Sequence, residues 1–144
     1  RLAKDFDKIV AVKEAAGDLQ QAQTLLKICP PDFLVLSGDD EMSLPMLLAG
    51  AKGVISVIGN ALPEAYTKIV HNGLQNKVRE AYDIQYAILD LIRTIYDEGN
   101  PTGIKVLMNA LHLCDNKLRL PLVTASEDLT NKLLKQLNQL QLVP

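Results

Sequence analysis

The sequence predicts an α/β chain in which three consecutive strand–helix units build a parallel sheet and an all-helical appendage follows. Two observations carry this. Short apolar, β-branched runs alternate three times with segments of helical period at nearly constant spacing, which specifies right-handed βα units. From Asn76 onward the apolar residues recur only at helical spacing, and no strand pattern returns. With 144 residues and 48% hydrophobic composition, the chain has the size and the apolar content to bury a core.

The chain opens on Arg1 with the helix-like Arg1-Leu2-Ala3-Lys4, and it is expected to be a segment of a longer polypeptide. Lys8-Ile9-Val10-Ala11-Val12 reads as a first strand, apolar without helical period and so buried on both faces. Asp18 caps the next helix, with Gln21 in the reciprocal position and Leu19, Ala22, Leu26 and Cys29 on one stripe; Pro30-Pro31 ends it. Phe33-Leu34-Val35-Leu36 repeats the strand pattern. Ser37-Gly38-Asp39-Asp40 then leads into a helix over residues 42–48, stopped by Gly50. Gly53-Val54-Ile55-Ser56-Val57 is the third strand, and Asn60 and Pro63 open a helix that Gly73 closes.

Val78, Ala81, Tyr82, Leu89, Ile92 and Ile95 spread over one long helix. Asn100-Pro101 offers a cap with proline at the first helical position for a helix over residues 104–113. Ser126, backed by Glu127 and Asp128, caps a last helix striped with Leu129, Leu133, Leu137 and Leu140. The expected division is therefore 1–75 for the βα units and 76–144 for a helical domain. Three βα units do not close a barrel, because an isolated parallel sheet of three strands leaves two edges unpaired and one face uncovered. Either the sheet is open or further strands lie upstream.

A net charge of −2 with interspersed signs gives no field that would gather nucleic acid or an anionic membrane. Charges interrupt every apolar run short of the roughly 18 residues needed to span a bilayer. Cys29 and Cys114 form neither a disulfide framework nor a zinc motif, and a reducing, cytoplasmic location without a signal peptide is expected. His71 and His112 lack carboxylate or cysteine neighbours at ligand spacing, so no metal is expected. Gly50, Gly53 and Gly59 flank a strand instead of joining strand to helix, which is turn chemistry and not a phosphate loop.

Lys13 stands at the carboxyl end of the first strand, in Val12-Lys13-Glu14-Ala15-Ala16-Gly17-Asp18. In a parallel barrel this is the active-site rim, where partial desolvation favours a free amine able to attack a carbonyl. The alternative is that Lys13 pairs with Glu14 or Asp18. Asp39 and Asp40 either cap the following helix or shape a pocket wall.

Five segments in order, Lys13-Glu14-Ala15-Ala16-Gly17-Asp18, Leu36-Ser37-Gly38-Asp39-Asp40, Gly53-Val54-Ile55-Ser56-Val57 with Asn60, Asn100-Pro101 with Lys105, and Leu118-Arg119-Leu120-Pro121-Leu122, resemble the signatures of the dihydrodipicolinate synthase family. The resemblance runs over nearly the whole chain. It implies the last three βα units of a TIM (β/α)8 barrel followed by the family's helical tail. Lys13 is then the Schiff-base lysine, Gly38 shapes the floor of the pyruvate pocket, and the backbone carbonyl of Ile55 faces the bound pyruvate. The implied reaction condenses pyruvate with aspartate semialdehyde to 4-hydroxy-tetrahydrodipicolinate, on the route to lysine and diaminopimelate, with no cofactor. Sister activities on the same fold are N-acetylneuraminate lyase and ketodeoxy-sugar-acid aldolases, and a non-catalytic barrel domain is the alternative from another class. The resemblance further implies a homotetramer. It assigns the proton-relay tyrosines, the carboxylate-binding arginine and threonine, and the lysine-inhibition residues of some members to the other half of the barrel. Ala16, Ile58-Gly59 and Gly103 depart from common family wording and leave the substrate less defined than the reaction class.

Overall fold

A computed structural model of the chain describes residues 1–140. In chain order the elements are α1 (Leu2–Asp5), β1 (Ala11–Glu14), α2 (Leu19–Ile28), β2 (Leu34–Ser37), α3 (Ser43–Ala49) and β3 (Gly53–Val54). A 3-10 turn (Ile58–Asn60), α4 (Pro63–Leu74), α5 (Val78–Thr94), α6 (Thr102–Ala110) and α7 (Glu127–Gln139) follow. The last residues of the expected helical domain, 141–144, lie outside the described residues. The chain forms two compact units, one of Arg1–Ser56 with Lys68–Tyr82, the other of Val57–Thr67 with Asp83–Pro144.

In the first unit the three strands pair in parallel in the order β1-β2-β3, with Lys13 opposite Leu36 and Leu36 opposite Gly53. Side chains alternate across a strand, so Val12 and Val35 point to one face and Lys13, Leu36 and Gly53 to the other. The Val12 face is the covered one: Ala22, Val35, Met46 and Ala51 form a buried cluster against which Val12, Leu19, Leu25, Leu26 and Met42 pack. The expectation of strands buried on both faces is corrected here. Leu34 is 40% exposed and Ile55 46%, because no described residue covers the other face.

The strands also sit later than expected. β1 begins at Ala11 and runs through the charged Lys13 and Glu14, whereas Ile9 and Val10 precede it and stay exposed. β3 has only two residues in place of five, although the Ile55 amide still donates to the Ser37 carbonyl at 2.7 Å. Asp18 caps α2 as expected, accepting from the Gln20 and Gln21 amides, but the Gln21 side chain does not return to the cap. Gly50 ends α3 at φ 117°, a left-handed conformation in which glycine carries no Cβ penalty. Gly73 does not close α4. It lies inside the helix, where an added Cβ would stand 2.9 Å from Leu44 Cδ1, and Asn76 takes the left-handed turn at φ 58°.

In the second unit α6 packs on α7 and on the 3-10 turn, around buried Ile58, Leu91, Ile92, Ile95, Leu107 and Leu133. Pro101 is the residue before α6 and not its first helical residue, so the expected proline cap is shifted by one position. Gly103 allows α6 to approach the end of α5: a Cβ there would fall 2.2 Å from the Ile95 carbonyl oxygen. Ser126 caps α7 as expected, accepting from the Leu129 amide.

Candidate active site

Parallel strands end on one edge, and the three candidate residues of the first unit come from that edge. Lys13 is the third of four residues in β1, Gly38 follows β2 directly, and Ile55 follows β3 directly. The Gly38 amide donates to the Glu14 carbonyl at 2.7 Å and so continues the β1–β2 ladder beyond the strand ends. Lys13 and Gly38 are in close approach. A Cβ built on Gly38 would meet Lys13 Cε at 2.3 Å, Lys13 Cγ at 2.8 Å and Ala15 Cβ at 2.9 Å. The lysine stem therefore passes directly over Gly38, and only a residue without a side chain leaves it room.

Lys13 is exposed, not partly desolvated as expected, because it stands on the sheet face that no described residue covers. The alternative, pairing with Glu14 or Asp18, does not form. Asp18 Oδ1 is engaged by the α2 amides, and both Glu14 oxygens are held on the opposite face. Lys13 has no hydrogen-bond or ion-pair partner for its side chain among the described residues.

Sequence reasoning missed the role of Glu14, which is buried at 7% exposure. Its Oε1 accepts from the Ala16 amide at 2.6 Å and its Oε2 from Gln21 Nε2 at 2.6 Å. The signal available was strand alternation, which turns residue 14 away from residue 13. Ser37, the last residue of β2, and Ser43, the first of α3, are likewise buried; their hydroxyls lie 3.1 Å apart and both are within donating distance of the Asp39 carbonyl, at 3.0 and 2.8 Å. Asp39 Oδ1 accepts from the Glu41 and Met42 amides and so holds the turn that leads into α3, but Met42 and not Asp39 is the residue before the helix, and no side-chain cap bond forms there. Asp40 is buried.

An apolar cavity of about 620 Å³ lined by Ile9, Ala11, Val12, Leu25 and Phe33 lies at the amino-terminal ends of the strands, away from Lys13. Among the described residues no cluster of His, Cys, Asp and Glu could hold a metal ion, and His71 and His112 are exposed. No helix among them is long and apolar enough to cross a membrane.

A family model described as the dihydrodipicolinate synthetase family matches residues 1–140. The chain is 51% identical over 133 residues to a 4-hydroxy-tetrahydrodipicolinate synthase of Flavobacterium psychrophilum, covering 92% of this chain and 45% of that protein. It superposes on the crystal structure of dihydrodipicolinate synthase from Aquifex aeolicus with a TM-score of 0.91 at 36% identity, over 95% of this chain and 47% of that one. The corresponding values for the Thermotoga maritima enzyme are 0.94 and 30%, over 99% and 50%. The chain thus spans about half the length of the relatives it matches.

Proposed function

This chain belongs to the dihydrodipicolinate synthetase family, and from that premise we propose that it is the carboxyl-terminal half of a 4-hydroxy-tetrahydrodipicolinate synthase. In this reading residues 1–75 are the last three βα units of a (β/α)8 barrel and 76–144 its helical domain. The missing strands cover the Lys13 face of the sheet. The exposed Leu34 and Ile55 support this, since strands of parallel sheets are normally buried on both faces.

The observation that carries the function is the unpaired Lys13 amine on a stem laid over Gly38 at the carboxyl ends of the strands. Covered by the rest of the barrel, that amine is desolvated and nucleophilic. It adds to the ketone of pyruvate and water leaves, giving an imine. The protonated imine draws electrons so that the methyl group loses a proton to form an enamine, which adds to the aldehyde of aspartate semialdehyde. The substrate amine then attacks the imine carbon, closes the ring and releases Lys13. Gly38 keeps the floor of the pocket low, and the Ile55 carbonyl faces the bound pyruvate. The imine is itself the electron sink, so no cofactor takes part. The whole enzyme is a cytoplasmic homotetramer.

Borohydride reduction of the full-length protein with pyruvate tests this reading. The expected result is a reduced pyruvate adduct on the peptide containing Lys13, lost in Lys13→Ala, with aspartate semialdehyde and not N-acetylneuraminate supporting turnover. An unmodified Lys13 in the full-length protein overturns it.

A further inference from the structure

Glu14 follows Lys13 in β1, and strand alternation sends its side chain to the helix-covered face, where it is buried. A buried carboxylate is costly unless its oxygens are satisfied. Both oxygens here are, by donors on two different segments: the Ala16 amide in the turn after β1, and Gln21 in α2. The backbone carbonyl of the same residue receives the Gly38 amide. One residue thus joins the strand end, the turn, the helix and the glycine under the Lys13 stem.

The turn has little else to hold it. Ala15, Ala16 and Gly17 are small and exposed, and Gly17 sits at φ 70°. Yet Ala15 Cβ is one of the three atoms that bound the space over Gly38. Release of the turn therefore shifts Ala15 and the lysine stem against the glycine.

Resting on the Schiff-base reading above, we infer that Glu14 is a positioning residue for Lys13, holding the end of β1 rigid so that the amine stays aimed over Gly38. It touches no substrate and acts through hydrogen-bond geometry, not through its charge. An amide of the same shape keeps that geometry, because its oxygen still accepts from the Ala16 amide and the exposed Gln21 amide turns over to accept from its nitrogen.

The experiment measures imine formation in the full-length protein by timed borohydride quenching across pyruvate concentrations. Glu14→Ala is expected to slow imine formation at saturating pyruvate by about tenfold or more, with the half-saturating concentration held within about threefold. Glu14→Gln is expected to keep most of the rate, and Gln21→Ala, at an exposed position, to lose a part of it. Where Glu14→Ala does not fold, Gln21→Ala decides by the same readout. A normal rate in Glu14→Ala, or in Gln21→Ala where that variant decides, overturns the inference. So does a Glu14→Gln protein as slow as Glu14→Ala, or a loss confined to half-saturation. Wild-type protein that traps nothing at Lys13 overturns the Schiff-base reading together with this inference, whereas wild-type trapping with unaffected variants overturns this inference alone.

Discussion

Gly38→Ala is the sharpest perturbation of the site. The new methyl would stand 2.3 Å from Lys13 Cε, whereas carbon atoms in contact sit about 3.5 Å apart or more, so the stem must give by about 1.2 Å. Ala15 Cβ at 2.9 Å blocks one way out, so the flexible end of the lysine side chain must rotate the other way. Lys13 therefore swings away from the glycine instead of the fold rupturing, and overpacking of this kind costs about 1–3 kcal/mol. The consequence for chemistry is larger than for stability, because a misplacement of about 1 Å lowers a rate by about 10²-fold. In the full-length protein, timed borohydride quenching with pyruvate should show imine formation slowed by about that factor, with a cooperative thermal transition retained. Wild-type imine formation in Gly38→Ala would refute the close-approach argument.

Two further predictions concern the helical unit. Gly103→Ala places a Cβ 2.2 Å from the Ile95 carbonyl oxygen and 2.6 Å from Ile95 Cα; backbone cannot rotate away as a side chain can, so urea unfolding should register a loss of about 3 kcal/mol or more. Ser126→Ala removes the α7 cap, for about 1 kcal/mol near neutral pH. It also removes the hydroxyl that donates to Glu98, which together with the Ser126 amide holds the Glu98 carboxyl below its ordinary value of 4.5. A depressed carboxyl stabilises the fold above its unfolded value and loses that contribution as pH falls through the folded one, so the gap between wild type and Ser126→Ala should narrow below pH 4.5. A gap that stays constant on acidification would remove Glu98 from the account.

Periodicity made the order of the elements legible, since three βα units and three later helices follow from where the apolar residues fall. Boundaries were less legible where function or tertiary packing outweighs hydrophobicity. From sequence the first strand reads as starting early, because Ile9 and Val10 look more strand-like than Lys13 and Glu14, yet the ladder extends through the charged pair. Gly73 looked like a helix stop because glycine is a weak helix former; its small size serves the packing of Leu44 and Leu47 instead. In the site, Lys13, Gly38 and Ile55 were readable as motif residues. Glu14 was not, because a carboxylate beside a lysine reads as its partner until alternation assigns the two to opposite faces.

The row Lys13, Leu36, Gly53 descends in bulk across the three strands. Unlike Gly38, Gly53 is not required by its surroundings: its backbone is outside the left-handed region, and an added Cβ would meet only Leu36 Cδ2, at 3.4 Å. The vacant end of the row is thus a dial and not a keystone, a place where one methyl can be added on the Lys13 face of the sheet while the described scaffold stays as it is.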